Sequence, residues 1–319
     1  MTPLCHMGGA IPVQALPQQA GAFPYPESAS TMWVNSGRAA FECILRSLPT
    51  EPRRVWVPRF ICNTVLEPLA RLSIPVERYE VDAQMHPILP PQLNAADALL
   101  LVNYFGLTGH AVAQAAAHAP CPVVVDATTA FYCPPLPHVP TFYSPRKFAG
   151  LADGGIAVGV KAGEFHLPAD TESDTRTTAL LRSPSDAAVQ AAEDALSTSP
   201  RKMGQLTRQL MCCTAWQATA TQRLRNYAVL HRALGHINRL CLPSTPAYAP
   251  MCYPLVCGIP ALRDALIDAG VRLPLFWPEV IETTDAATTE NRLARTLLPL
   301  PIDQRYTERD MEQLVKWIL

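Results

Sequence analysis

A lysine near the middle of the chain lies in a short polar segment between two apolar runs, where it could act on a carbonyl group. The segment, residues 141–155, reads T-F-Y-S-P-R-K-F-A-G-L-A-D-G-G and contains Lys147. An amine attacks a carbonyl carbon only after losing its proton, and desolvation or the positive charge of Arg146 would favour that loss. Ser144 lies one short turn upstream, so its hydroxyl can face an anion in the same pocket. Ser-x-x-Lys spacing also arises by chance, and a surface lysine is the alternative.

A carboxylate upstream of this lysine strengthens the case for a reactive site. Residues 121–130, C-P-V-V-V-D-A-T-T-A, are typical of a buried strand that ends at Asp126. Ligands of open α/β sheets bind at the carboxyl ends of the strands, so we expect Asp126 and Lys147 to face one crevice. Pyridoxal phosphate needs such a pair: a lysine that forms a Schiff base and an acid that keeps the ring nitrogen protonated. The alternative is that Asp126 caps a following helix.

A predicted helix start near residue 36 is typical of a phosphate site. The segment W-V-N-S-G-R-A-A-F-E begins at Trp33 and continues with apolar residues at helical spacing, and Ser36 is placed as the N-cap. Gly37 and Arg38 open the helix. Exposed N–H groups and the helix dipole at such a start attract phosphate, and glycine permits close approach. An ordinary serine-capped helix is the alternative.

Four motifs, taken in chain order, resemble a known enzyme family. They are N-S-G-R-A-A at 35–40, V-D-A at 125–127, S-P-R-K at 144–147 and D-G-G at 153–155. Together they are similar to the DegT/DnrJ/EryC1/StrS sugar aminotransferases, a branch of the fold-type I pyridoxal phosphate-dependent enzymes. The resemblance covers roughly residues 33–319. It implies an α/β protein of fold type I, with a mainly parallel, doubly wound sheet in a large domain and a small α/β C-terminal domain.

The resemblance also implies roles for individual residues. Lys147 would carry pyridoxal 5'-phosphate as a Schiff base and, once released, move protons, while Asp126 would hold the ring nitrogen protonated. Ser144 and the amides of Gly37 and Arg38 would cradle the phosphate. The activity would be amino transfer to a keto sugar or a similar keto compound, with glutamate as the amino donor and a homodimer as the working form.

Several positions depart from the family's usual pattern. Cys62 stands where an aromatic ring usually covers the cofactor. Its thiol can pack against the ring in a thinner stack, so Cys62 is a candidate for contact with the cofactor, or either Phe60 or Tyr104 takes that place; structural packing is the alternative role of Cys62. Thr129 stands where the family has Gln or His near the phenolic oxygen, and Tyr104 is a second candidate for contact with the ring. The family's G-x-N-x-R motif is not recognisable between residues 160 and 224.

The element pattern predicts an irregular N-terminal arm at residues 1–31, a large domain at 32–225 and a small domain at 226–319. A final helix is predicted after Thr307, with Asp310 completing the capping pattern. Strands are predicted at residues 54–58, 76–81, 96–103, 121–126, 142–144, 155–160, 250–258 and 273–278, and helices at 37–48, 62–72, 111–118, 185–196, 204–234, 260–269 and 292–298.

Composition narrows the class of protein. The 319 residues include 49% hydrophobic residues, enough for a large core, and the net charge of -1 without a basic cluster argues against nucleic acid or anionic membrane as a partner. Ten cysteines are scattered without a disulfide or metal pattern, which favours the reducing cytoplasm. No apolar run reaches the roughly 20 residues of a membrane helix. The resemblance implies small-molecule substrates as partners, and the composition is consistent with that.

Two other functions stay open from the sequence. Cys62, the unrecognised G-x-N-x-R motif and the modest length favour a non-catalytic relative that keeps the fold as a binding or structural module. Retention of both Lys147 and Asp126 favours an enzyme instead. Another transferase or lyase on the same cofactor would use the same residues, because substrate choice lies in loops that carry no recognisable motif.

Overall fold

The computed structural model of the chain describes residues 7–8, 25 and 27–319. Most of the predicted N-terminal arm, residues 1–31, therefore lies outside the described residues. Its described part includes a two-residue strand, β1 (Met7–Gly8), and the start of strand β2 at Thr31. Among the described helices, none is both long and apolar enough to cross a membrane.

A seven-stranded sheet forms the centre of the protein. Its strands are β2 (Thr31–Val34), β3 (Val55–Pro58), β4 (Val76–Tyr79), β5 (Ala98–Val102), β6 (Val123–Asp126), β7 (Thr141–Tyr143) and β8 (Gly155–Val158). Their order in the sheet is β2-β8-β7-β6-β5-β3-β4. Every neighbouring pair is parallel except those of β8, which runs antiparallel to both β2 and β7. Strands β3, β5 and β6 are buried along their whole length, as expected for apolar runs covered on both faces. The predicted α/β class with a mainly parallel sheet is confirmed.

The helices follow the predictions except between residues 160 and 234 and at Pro278–Thr283, where a helix was not predicted. The single helix predicted at 204–234 is two helices, because Thr214 has extended backbone angles and ends the first. A further helix at Ser173–Arg182 was not predicted. The described helices are α1 (Gly37–Ser47), α2 (Leu66–Arg71), α3 (Gly109–His118), α4 (Ser173–Arg182), α5 (Asp186–Asp194), α6 (Gln205–Cys213), α7 (Trp216–Leu234), α8 (Leu262–Asp268), α9 (Pro278–Thr283), α10 (Thr289–Thr296) and α11 (Glu308–Ile318).

The C-terminal part has its own hydrophobic cluster. Strands β9 (Cys252–Leu255) and β11 (Leu298–Pro301) pair antiparallel, and α11 has the predicted capping box, in which Thr307 and Asp310 bond each other's backbone N–H. The strand predicted at 273–278 is wrong: β10 is Val271–Arg272 and pairs with β1. Prolines in the predicted segment explain why the strand ends early, since a proline has no N–H to donate to a neighbouring strand. Buried members of the cluster include Tyr227, Leu230, Tyr253, Leu255, Leu266, Leu300, Met311 and Leu314.

The D-G-G motif positions the start of α1 against the sheet. Gly154 has φ +129°, and its N–H donates to the Asn35 carbonyl at 2.7 Å. A Cβ on Gly155 would lie 2.0 Å from the Ser36 carbonyl oxygen and 2.7 Å from the Gly37 nitrogen. Real Cβ atoms do not approach backbone this closely, so only glycine lets the start of α1 lie beside β8.

Gly155→Ala is therefore expected to destabilise the protein by about 3 kcal/mol or more, because the new methyl group has to displace backbone on both sides. Urea unfolding would measure the loss. Gly163→Ala is the matched control, since a Cβ there meets nothing within 4 Å. Equal stability of the two variants would contradict this account of the motif.

Candidate functional site

A cavity of about 1050 Å³ opens where α1 begins and where β6 and β7 end. Residues from the segments at 267–277 and 299–303 also line it. This is the strand edge at which ligands of open α/β sheets bind. Six of the eight predicted cofactor-contacting residues line the cavity: Gly37, Arg38, Cys62, Asp126, Ser144 and Lys147.

Lys147 lies at the end of a single-turn 3-10 helix, Pro145–Lys147, that directly follows β7. The turn is held by the Phe148 N–H, which donates to the Pro145 carbonyl at 2.9 Å. The Lys147 side chain is exposed within the cavity, and its Nζ donates to the Thr128 hydroxyl at 3.1 Å. The amine is therefore both oriented and open to a ligand.

Asp126 is the last residue of β6 and is only 6% exposed. Burial raises the pKa of its carboxyl above the ordinary value, although the Lys147 charge and hydrogen bonds from Thr128 act in the opposite direction. The Thr128 N–H donates to Oδ1 at 2.8 Å and fixes the group. A buried carboxyl with raised proton affinity suits a ligand that brings a protonated nitrogen to it.

Ser36 and Gly37 form the end of the cavity at the start of α1. The Ser36 hydroxyl accepts from the Ala39 N–H at 3.1 Å, as predicted for an N-cap. A Cβ on Gly37 would lie 3.2 Å from Thr128 Cγ2 and 3.6 Å from Ser144 Cβ, so the helix start packs closely against the ends of the two strands. This leaves the first N–H groups of the helix at the cavity wall, where they favour an anion.

Two arginines at this end share one carboxylate. Arg38 donates to both Glu67 oxygens, each at 3.0 Å, and to Glu193 at 3.2 Å, while Arg146 donates to the other Glu193 oxygen. Burial acts to raise the pKa of Glu193, but the two arginines outweigh it and hold that pKa below its ordinary value. The sequence analysis did not identify Glu193 as a site residue, because the local pattern does not indicate which part of the protein its helix packs against.

Helix α5 closes part of the cavity with one face. Asp186, Val189 and Glu193 line the cavity and are spaced three and four residues apart, as neighbours on a helix surface are. Asp186 forms an ion pair with Arg272 of β10, at the opposite end of α5 from Glu193. Ion pairs thus hold both ends of α5 over the cavity.

Two predicted contact residues do not line the cavity. Tyr104 is 1% exposed and its hydroxyl donates to the Phe60 carbonyl at 2.6 Å. Thr129 accepts from the Phe105 N–H at 3.1 Å and donates to the Asn103 carbonyl at 3.2 Å, so its hydroxyl is committed to the backbone. The threonine that does line the cavity is Thr128, two residues after Asp126, a spacing that the sequence analysis did not use.

The aromatic side of the cavity also differs from expectation. Cys62 lines it as predicted, with Sγ 3.1 Å from the Thr64 hydroxyl. Neither Phe60 nor Tyr104 does. Rings that line the cavity near this wall belong to Phe276 and Trp277, and Trp277 packs edge-on against Phe60 with ring centroids 4.6 Å apart. Phe276 and Trp277 follow β10 in the segment wrongly predicted as a strand.

Comparison with known proteins identifies solved structures with a similar architecture. No protein-family model matches the chain, and no curated protein sequence matches it significantly. Solved structures do. The sugar aminotransferase CalS13 from Micromonospora echinospora superposes with TM-score 0.64 at 17% identity, covering 100% of this chain and 99% of that one.

Two further solved structures share the fold, and one of them is described as a dehydratase. A DegT DnrJ EryC1 StrS aminotransferase from Brucella abortus has TM-score 0.63 at 15% identity, with 90% and 84% of the two chains covered. The E. coli GDP-4-keto-6-deoxy-D-mannose-3-dehydratase, described with bound hydrated PLP, has TM-score 0.60 at 11% identity, with 93% and 88% covered. At such low identity the likeness establishes the fold, and the chain has the fold of the fold-type I pyridoxal phosphate-dependent aminotransferases.

Proposed function

We propose that the chain binds pyridoxal 5'-phosphate in this cavity and transfers amino groups to a keto sugar or a similar keto compound. The observation that carries the proposal is the pairing of an accessible lysine with a buried acid. Lys147 and Asp126 line one cavity, and Thr128 hydrogen-bonds both of them. A binding module has no chemical need for this pair.

The residues present fit the cofactor at each end. Asp126 is a buried carboxyl with raised proton affinity, which suits the ring nitrogen. The start of α1 supplies N–H groups to a phosphate, and Gly37 keeps the space there free of a side chain. Arg38 and Arg146 already hold a carboxylate, so an anion between them is compatible with their geometry.

The bound cofactor would supply an electron sink for the bonds at the substrate's amino-bearing carbon. Lys147 would hold the cofactor covalently and, once free, carry a proton to and from that carbon. Asp126 would keep the ring nitrogen protonated. Thr128 would orient the Lys147 amine, and Ser144 with the start of α1 would hold the phosphate.

The substrate class follows from the family resemblance and from the solved structures of the same fold. CalS13 is described as a sugar aminotransferase, and the E. coli protein is a dehydratase of a nucleotide-linked keto sugar. We propose a nucleotide-linked keto sugar as acceptor, glutamate as donor, and a cytoplasmic homodimer as the working form. The dehydratase shows that the fold also hosts lyase chemistry, so a test of half-reactions decides between the classes.

The test of the proposed function is spectroscopic. Purified protein incubated with pyridoxal phosphate should turn yellow, glutamate should convert the cofactor to its amine form, and a keto sugar should reverse the change. A protein that binds the cofactor but shows no half-reaction with any amino donor would favour the non-catalytic alternative. Loss of substrate water without amino transfer would favour a lyase.

Glu193→Gln is expected to tighten cofactor binding by about tenfold. A phosphate carries nearly two negative charges and competes with Glu193 for Arg38 and Arg146, and a charge-assisted hydrogen bond is worth about 1.5 kcal/mol. Equilibrium dialysis of pyridoxal phosphate would measure the change. Asp194→Asn, the next residue, alters the net charge equally but is exposed and serves as the control. Equal gains in the two variants would mean that net charge alone is responsible.

A further inference from the structure

Helix α5 has few apolar contacts to hold it over the cavity. Of its nine residues only Ala192 is buried, and the cluster beneath it is small, with Ala152 and Leu180 as the other buried members. Burial of alanine removes little apolar surface from water, so this cluster holds the helix weakly. The ion pair between Asp186 and Arg272 is about half exposed and adds little. The ion pairs at the other end of α5 are therefore its main attachment.

The chain on either side of α5 is anchored more firmly. Before it, the Ser173 hydroxyl at the start of α4 donates to the buried Asp153 at 2.9 Å. After it, the Asn35 side chain donates to the Ser197 carbonyl at 3.2 Å. The joint between α4 and α5, residues 183–185, is exposed. The helix can thus leave the cavity as a unit while both flanking segments stay in place.

Glu193 is the anion that already occupies the phosphate end of the cavity. One of its oxygens accepts from Arg38 at 3.2 Å, and the other accepts from Arg146. Burial acts to raise the pKa of this carboxyl, but Arg146, Arg38 and the charge of Lys147 hold it below the ordinary value. A phosphate at the start of α1 meets the same cations. Because it carries nearly two charges and three strong acceptor oxygens, it competes well against one carboxylate.

We propose that α5 is a cover that a phosphate group opens. The inference rests on the proposed function and goes beyond it. The phosphate takes Arg38 and Arg146 from Glu193, and the helix, left with a small apolar face and one exposed ion pair, leaves the cavity. Pyridoxal, which has no phosphate, leaves the cover in place. Cofactor-free protein thus keeps its cavity partly closed, and the protein loaded with pyridoxal 5'-phosphate is open to substrate.

Hydrogen exchange followed by mass spectrometry measures the opening. A nine-residue helix is marginal in water by itself, so the amides of α5 exchange faster once it leaves the protein. Peptides covering residues 183–196 are compared in cofactor-free protein alone and with inorganic phosphate, pyridoxal phosphate or pyridoxal. We expect both phosphate compounds to speed exchange at least about tenfold and pyridoxal to leave it unchanged. Exchange in α11 should stay constant and shows that the protein remains folded.

Glu193→Gln tests the latch itself. Without any ligand, α5 of this variant should exchange as fast as α5 of the wild type does with phosphate, and added phosphate should change nothing further. Asp194→Asn is the matched control, because it removes the neighbouring, exposed carboxylate and should leave the wild-type response intact. If Glu193→Gln does not fold, the comparison of pyridoxal phosphate with pyridoxal on wild-type protein decides.

The outcomes separate the cover from the proposed function. Unchanged or slower exchange of α5 in wild-type protein that has bound a phosphate compound would overturn the cover, as would equal effects of pyridoxal and pyridoxal phosphate. Binding of pyridoxal phosphate without a change in α5 would leave the proposed function standing. Failure to bind pyridoxal phosphate would overturn the proposed function, and the response to inorganic phosphate would then decide the cover. Failure to bind either phosphate compound would overturn both.

Discussion

Lys147→Ala protein is expected to fold normally and to lose both half-reactions of amino transfer. The side chain is exposed in the cavity and hydrogen-bonds Thr128, so its removal takes away little packing. The reaction loses both the covalent attachment of the cofactor and the group that moves the substrate proton. Since a positioned acid–base group alone contributes at least about 100-fold, we expect a rate loss beyond that.

Borohydride reduction would locate the attachment directly. Wild-type protein loaded with pyridoxal phosphate, reduced and digested should give one pyridoxyl-labelled peptide, and the label should be on Lys147. Lys161→Ala, which removes an exposed lysine paired with Glu164, is the matched control and should keep both label and activity. A label on another lysine, or none on the wild type, would end the cofactor assignment.

Short-range features of this site could be predicted because they depend on a few neighbouring residues. The valine run fixed the end of β6 at Asp126, and Ser36 and Thr307 cap their helices as their flanking residues indicate. The D-G-G motif was recognisable in the sequence, but its close approach to the start of α1, 2.0 Å from a Gly155 Cβ to the Ser36 carbonyl oxygen, is visible only in three dimensions.

The positions of Thr129 and Tyr104 outside the cavity lining have a local cause. After β5 the chain makes a single 3-10 turn, in which Phe105 has φ +57°, and this turn directs Tyr104 inward, where its hydroxyl reaches Phe60. The Thr129 hydroxyl accepts a hydrogen bond from the Phe105 N–H of the same turn, so it does not face a ligand in the cavity. Strand ends are recognisable in sequence, but the side on which the following residues emerge depends on backbone angles that no pattern specifies.

Long-range contacts of residues outside the recognised motifs could not be predicted. Glu193, Arg272 and Arg223 come from segments with no recognisable motif, and they reach the cavity only because α5, β10 and α7 pack around it. The sequence alone does not distinguish a glutamate that forms ion pairs at a cavity from one that is exposed to solvent on a helix surface. Its partners Arg38 and Arg146 are far away in the chain, so the ion pairs follow from tertiary packing alone.

Asp126→Asn is expected to reduce single-turnover amino transfer by more than about 100-fold, while the asparagine keeps the shape and the hydrogen bond from the Thr128 N–H. An amide has no negative charge to keep the ring nitrogen protonated, so the electron sink would be weakened. Stopped-flow absorbance with glutamate would measure it. A loss within about tenfold, or ~1.4 kcal/mol, would mean that the carboxylate has no such role.

The same substitution should stabilise the cofactor-free protein as the pH rises. Burial raises the pKa of Asp126 in the folded state, so the wild type is favoured below the ordinary carboxyl pKa and loses that contribution as pH rises through the raised value. Asparagine does not titrate, so the variant does not lose stability in this way.

Asp97→Asn should behave oppositely. Burial acts to raise the pKa of Asp97, but hydrogen bonds from Trp56 and Arg54 hold that pKa below its ordinary value, so the charged carboxylate stabilises the fold at neutral pH. Thermal unfolding of both variants between about pH 4 and 8 measures the change in stability caused by each substitution. We expect the two changes to have opposite signs at neutral pH, because the Asp126 carboxylate would serve chemistry and the Asp97 carboxylate serves stability.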